Sequence, residues 1–273
     1  MTRLGDGHRG RVLIAGSHGG VYAAYLAACA GVRGVVLNDA GVGLDGAGIA
    51  GLDYLQALGI PAATVSTHTA RIGDGADAAA RGIVSHVNPQ ALALGCRPGQ
   101  PALSCAEAMS RAAPGPAPRP PAIDEGRYRI GSVAGGVEVW ALDSASLVLP
   151  EDAGRVLVIG SHGGAPGGRA ETALKTDALA AVFHDAGVGA DRAGLSRLPF
   201  LDRRGIPAAT VSAASARIGD GRSLWRTGIL SHVNETAAAL GARPGTTATT
   251  FADAVASART ATGPRARNEE ETS

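Results

Sequence analysis

The sequence predicts an α/β protein made of two duplicated βαβαβα lobes with parallel sheets, related by a pseudo-twofold axis, with a β-hairpin inserted between them. Three observations predict it. First, the chain repeats itself. RVLIAGSHGG at 11–20 is answered by RVLVIGSHGG at 155–164, DAGVG at 39–43 by 185–189, GIPAATVS at 59–66 by 205–212, ARIGDG at 70–75 by 216–221 and SHVN at 85–88 by 231–234. Second, short apolar runs ending at glycine alternate with stretches of helical composition, the pattern of a parallel sheet covered on both faces. Third, each copy spans about 100 residues, too long for a solenoid unit and the size of a small domain. From Asp39 to Ala112 the second copy follows at a constant offset of 146, and more than half of the positions are identical.

Each element has a local reason. RVLIAG (11–16) is a short apolar run, hence a buried strand, and SHGG is the turn after it. VYAAYLAACAG (21–31) has helical composition and stops at Gly31. GVVLND (34–39) is a second strand. Asp45 can cap the next helix, where Ile49, Leu52 and Leu55 share a face and Gly59 closes the element; Asp191, Leu195, Leu198 and Leu201 repeat the pattern. PAATVS (61–66) is a third strand. Ile83, Val87, Ala91 and Leu94 then fall on a helical stripe ending at Gly95. The expected organisation is a first lobe at 1–113, a Pro-rich linker at 114–126, a hairpin segment at 127–150, a second lobe at 151–258 and a disordered polar tail at 259–273. In the hairpin, Tyr128, Ile130, Val137, Val139 and Trp140 flank a Gly-Gly turn.

Composition excludes several classes of function. The formal net charge is +1, too small for a basic field that would hold nucleic acid or an anionic membrane. No apolar run reaches the roughly 18 residues of a membrane span, and the N-terminus has no secretory h-region. Glycine supplies 40 of 273 residues without a period of three, which fits many tight turns rather than collagen. Lys175 is the sole lysine, and there is no phosphate-binding GxxxxGK[ST] motif. Cys29, Cys96 and Cys105 form no metal-ligand pattern, and an odd, sparse count suits a reducing cytoplasm.

The polar residues kept in both copies follow strands, where ligands bind in open parallel sheets. Ser17, His18, Gly19 and Gly20, with Ser161, His162, Gly163 and Gly164, form a turn whose backbone N–H groups suit an anion or oxyanion. His18 or His162 can act as base, and Ser17 or Ser161 as nucleophile, although GxSxG is absent. Asp39 and Asp185 can orient the histidine or act as bases; they serve equally well as acceptors for their own Gly-rich turns. Arg71 and Arg217 can clamp a substrate anion, with Asp74 and Asp220 three residues on; the other reading is an internal ion pair. Asn38 in one copy is His184 in the other, a difference that would distinguish the two sites.

Hydrolysis of a small amide or ester, or ring opening, is the expectation that best uses acid-base groups, an anion clamp and an N–H cradle. Isomerase or lyase chemistry uses the same groups. One alternative is a metal-dependent hydrolase or lyase with His18, Asp39, Asp74 and His86 as ligands to a divalent ion. A second is a non-catalytic module for an anionic metabolite. The expected partner is a small-molecule substrate, with no cofactor, nucleic acid or membrane, and a homo-oligomer left open.

Overall fold

A computed structural model describes residues 4–112 and 120–261 of the chain. Its architecture is α/β, with two parallel-rich sheets of four and six strands. The first contains β1 (Val12–His18), β2 (Gly34–Asn38), β3 (Ala62–Val65) and β4 (Val84–Val87) in that spatial order. Its helices are α1 (Val21–Cys29), α2 (Gly51–Ala57), α3 (Gly75–Arg81), α4 (Pro89–Ala93) and α5 (Ala102–Ser110). The hairpin strands β5 (Arg127–Val133) and β6 (Val137–Leu142) follow. The second half adds β7 (Val156–His162), β8 (Ala180–His184), α6 (Arg197–Asp202), β9 (Ala208–Val211), α7 (Gly221–Thr227), β10 (Leu230–Val233), α8 (Glu235–Ala239) and α9 (Ala248–Ala261).

The predicted strands pair in parallel, β1 with β2 and β2 with β3. The register repeats in the second half: Val35 lies opposite Ala62, and Ala181 opposite Ala208. Side chains alternate between the two faces of each sheet, as a pleated strand requires. Val36 joins the cluster under α5, whereas Val35 and Leu37 pack with α1 and α2. In the second half, Val182 lies with Phe251 of α9, and Phe183 with Leu201 of α6. The β-hairpin forms as read and extends the second sheet, with β6 parallel to β7. Among the described residues β1 has no such neighbour, and its seven residues are all half-buried, whereas β7 is buried along most of its length.

Four expectations need correction. The stripe from Ile83 to Leu94 is not a helix. Val84–Val87 forms β4, antiparallel to β3, and Asn88 then caps α4 by accepting from Ala91 N at 2.9 Å. Pro89 at the first helical position cannot donate, which fixes the break there. Next, the second half has no α-helix between β7 and β8. Ala165-Pro166-Gly167-Gly168 stands where the first half has Val21-Tyr22-Ala23-Ala24, and proline with two glycines disfavours a helix; two 3₁₀ turns take its place. Asp45 and Asp191 do not cap helices: both have positive φ, 54° and 53°, and α2 starts only at Gly51. Lastly, Arg259 lies in α9 rather than in a disordered tail. The tail at 262–273, and residues 114–119 of the Pro-rich linker, lie outside the described residues.

The carboxyl ends of the two sets of strands face each other, and the contacts are reciprocal. Arg217 pairs with Asp45, and Arg71 with Asp191. Leu44 N donates to Ala213 O at 2.8 Å, and Ala190 N to Thr67 O at 2.7 Å. Ala40, Ile72, Ala186, Ala193 and Ile218 form one apolar cluster across the junction. Gly41 and Gly187 meet at its centre; a Cβ on Gly41 would lie 2.9 Å from the Gly187 Cα. Within the same DAGVG loops Val42 and Val188 sit at φ 62° and 64°, a strained region for a β-branched residue.

Candidate functional site

Opposed strand ends leave a cleft of about 840 Å³ between the two halves. Ser17 and His18 at the end of β1 line it, as do Ser161 and His162 at the end of β7. A smaller cavity of about 350 Å³ lies on the other side of His18, against Arg217, Gly219 and Asp220. The arrangement is crossed. His18 faces the second half's ARIGDG loop, with its Cε1 3.6 Å from where a Cβ on Gly219 would stand; His162 faces Gly73 of the first half in the same way, at 3.4 Å.

Local backbone geometry fixes both imidazoles. The strand register shifts just before each histidine, and Gly19 N and Gly163 N then donate to the carbonyls of Asn38 and His184, each at 2.7 Å. The next N–H turns back onto the ring: Gly20 N donates to His18 Nδ1 at 3.1 Å, and Gly164 N to His162 Nδ1 at 3.2 Å. A Cβ at Gly20 would sit 2.7 Å from that Nδ1, so glycine lets the amide approach. A backbone N–H only donates, so each Nδ1 is the acceptor and each neutral ring carries its proton on Nε2. Among the described residues neither Nε2 meets a hydrogen-bond partner.

Electrostatics keeps these rings neutral. Burial, then the charge of His184, lowers the pKa of His18 to about 4. Burial, then the charge of Arg197, then that of His18, holds His162 well below its ordinary value. At neutral pH both histidines therefore present N–H donors rather than basic lone pairs. The expected role of base does not fit this geometry, because Nδ1 is occupied and Nε2 is protonated.

A different residue fits it. Glu125 lines both cavities, together with His18 and Tyr22. Burial, then the charge of Asp143, raises its pKa to about 7, against hydrogen bonds from Ser144 and Ser146. A carboxylate poised there exchanges protons readily at neutral pH. Tyr22 is raised by burial and then by Glu125.

Most of the other candidates are engaged in contacts of the fold itself. Asp39 Oδ1 accepts from Gly41 N at 3.0 Å and Thr67 N at 2.9 Å. Asp185 Oδ1 accepts from Gly187 N and Ala213 N, both at 2.9 Å. Neither aspartate lines either of these two cavities. Arg71 is taken up by Asp77 at 2.8 Å, with Asp74 and Asp191 each at 3.5 Å. Arg217 borders the smaller cavity but is paired with Asp45. Asp74 and Asp220 cap α3 and α7, accepting from Asp77 N and Ser223 N. Gly19 and Gly163 pack against the carbonyls of Gly48 and Gly194. Ser161 Oγ accepts from Ala145 N at 2.9 Å.

Asn38 and His184 do the same work despite their different chemistry. Asn38 accepts from Ala40 N and donates to Ala70 O; His184 accepts from Ala186 N and donates to Ala216 O. His86 lies on β4, outside both cavities, with Nδ1 buried and unpartnered. Among the described residues no three His, Cys, Asp or Glu side chains stand close enough to hold a metal ion, so His18, Asp39, Asp74 and His86 do not assemble into a site.

Sequence reasoning missed Glu125, Tyr22, Lys175 and Arg197. All four line the large cleft, and none has a like residue in the other half: Tyr22 stands opposite Pro166 and Arg197 opposite Gly51. The signal was the difference between the copies, and Lys175, the sole lysine, was its plainest instance. No protein-family model, curated protein or solved structure matches the chain.

Proposed function

We propose that the protein is an enzyme that hydrolyses a small amide or ester, cyclic substrates included, in the cleft between its two halves. The observation that carries this reading is that two neutral imidazoles, His18 and His162, whose Nε2–H donors have no partner among the described residues, line one cavity with Glu125. Glu125 takes a proton from water as the water oxygen bonds to the substrate carbonyl carbon. The negative charge that develops on the carbonyl oxygen is met by Nε2–H donors of fixed orientation, the preorganisation that stabilises such intermediates. Collapse breaks the C–N or C–O bond, and the leaving group takes the proton back from Glu125. Both histidines stay neutral throughout.

A second reading uses the same groups. A carboxylate with a neutral imidazole donor also suits proton transfer next to a carbonyl, as in an isomerase or lyase. Ser161 Oγ is held by Ala145 N, and neither reading draws on a serine nucleophile. The cytoplasm is the proposed compartment, supported by three free cysteines. Among the described residues no helix is long and apolar enough to cross a membrane. The two halves are proposed to descend from one duplicated ancestor.

The test is a turnover screen of small amides, esters, lactams and cyclic imides with wild-type protein and Glu125→Gln. Hydrolysis that falls about 10²–10⁴-fold in the variant is expected. Hydrolysis unaffected by Glu125→Gln overturns the mechanism. Binding without any turnover would favour the non-catalytic alternative.

A further inference from the structure

Arg197 is an anomaly in the wall of the large cleft. It is 3% exposed, yet no carboxylate among the described residues pairs with it. Its Nε donates to His162 O at 3.2 Å, and its Nη1 to Thr172 O at 2.7 Å and to Ala173 O. Nη2 donates to nothing among the described residues, although the residue lines the cavity. Burial alone pulls its pKa down to about 10, with no acidic neighbour to oppose it. A guanidinium stacked 5.0 Å over the Phe183 ring is held in place but not neutralised. An unpaired buried charge is costly, and an anion arriving in the cleft would supply the counter-charge that the fold does not.

Lys175 also lines the cleft, exposed, with Nζ donating to Ser146 O at 2.7 Å and no ion pair among the described residues. Both residues belong to features that the first half lacks: Lys175 to the loop that replaces a helix, Arg197 to a position that is glycine in the other copy. We infer that Arg197 and Lys175 form the receptor for an oxyanion group of the ligand, a carboxylate or a phosphate. This rests on reading the cleft as a substrate site. It moves anion recognition away from Arg71 and Arg217, whose charges are already met by Asp77 and Asp45. It also seats the ligand's anionic end beside His162, the ring whose carbonyl Arg197 holds.

The test is binding without turnover. Wild-type protein is titrated with malonate and, separately, with inorganic phosphate at constant ionic strength, followed by calorimetry and melting temperature. Saturable binding of at least one is expected, and whichever binds more tightly identifies the oxyanion. Arg197→Lys and Lys175→Met should each weaken it by about tenfold or more, because an ammonium cannot hold the three carbonyls and still offer an N–H where Nη2 stands, and methionine removes the charge of Lys175. Circular dichroism establishes that each variant is folded. Should Arg197→Lys fail to fold, Lys175→Met decides, since that side chain is exposed. Absence of saturable binding of both anions to wild-type protein, or affinity unchanged in the folded variants, overturns the inference. Turnover of neutral substrates without anion binding would sink this inference and leave the hydrolytic reading intact; anion binding without turnover would do the reverse.

Discussion

After β1 the chain forms helix α1, whereas after β7 it forms a loop of 3₁₀ turns from Pro166 to Thr172. The two segments begin with the same SHGG and fix the same histidine through the same Nδ1 contact. From there they diverge. The helix covers its sheet with alanines, and the loop brings Lys175 to the cleft. What the halves share builds the junction between them: the Asp39 and Asp185 turns, the Arg–Asp pairs and the Gly41–Gly187 contact. The cavity takes the shared Ser-His ends of β1 and β7 and adds to them residues that only one half has: Tyr22, Glu125, Lys175 and Arg197. Identity between copies thus marks the residues that hold two like surfaces together and the two histidines that both halves bring to the cleft. The added chemistry enters through the asymmetry.

The largest expected effect tests that asymmetry directly. Glu125 has no counterpart in the other half, so Glu125→Gln should lower kcat by about 10²–10⁴-fold. The sign of the pH effect follows from a raised pKa: as the base, Glu125 acts when ionised, so kcat/KM should rise with pH through about 7. The rate that remains in Glu125→Gln should have lost that limb. An unchanged pH profile would break the assignment.

Next come the two histidines, which a symmetric site would make equivalent. His18 lines both cavities and shares each with Glu125, while His162 lines only the larger. His18→Ala should therefore cost about 10²–10³-fold in kcat, the scale of a lost oxyanion donor, and His162→Ala less. Equal losses would show that the two halves contribute alike.

At the shared junction the effect is on stability. Gly41→Val places a β-branched residue at φ 74° with its Cβ against the Gly187 backbone. A loss of about 3 kcal/mol or more in denaturant unfolding is expected, from backbone strain and overpacking together. Gly59→Ala, also at positive φ but with open space around it, separates the two contributions and should cost only about 1 kcal/mol.

His18 predicts the sign of a pH dependence of folding. Its folded pKa of about 4 lies below its ordinary 6.5, so on acidification the unfolded chain takes up the proton first. Its contribution is fully present above about 6.5 and is lost as pH falls toward 4. Glu125 acts in the opposite sense, losing stability as pH rises toward about 7. Unfolding titrations from pH 4 to 7 should show a shallower acid slope in His18→Ala; an identical slope would contradict the burial of the ring.

The smallest effect is expected where the sequence placed an anion clamp. Arg217 and Asp45 are each about half exposed, so the pair is screened by water, and Asp45→Asn should change stability by less than about 1 kcal/mol. The same substitution leaves anion binding unchanged if Arg197 is the receptor.

By itself the sequence determined the α/β class, the three parallel strands of each half, the hairpin and the line of strand ends on which a site would lie. These follow from local pattern: apolar runs of strand length, glycine at the stops, and a repeat that doubles every signal. The helix expected from Ile83 to Leu94 failed because its spacing satisfied both periods until Asn88 and Pro89 broke it. Only tertiary structure decided which polar residues are free to do chemistry. Asp39 and Arg71 looked available because their partners, Thr67 and Asp77 within the same half and Asp191 across the junction, are brought to them by folding. Glu125, Lys175 and Arg197 belong to no motif, and the cleft that unites them exists only where two sheets meet end to end. A pattern along the chain records what each backbone segment requires; which side chains share a cavity is set by long-range packing, which no local spacing encodes.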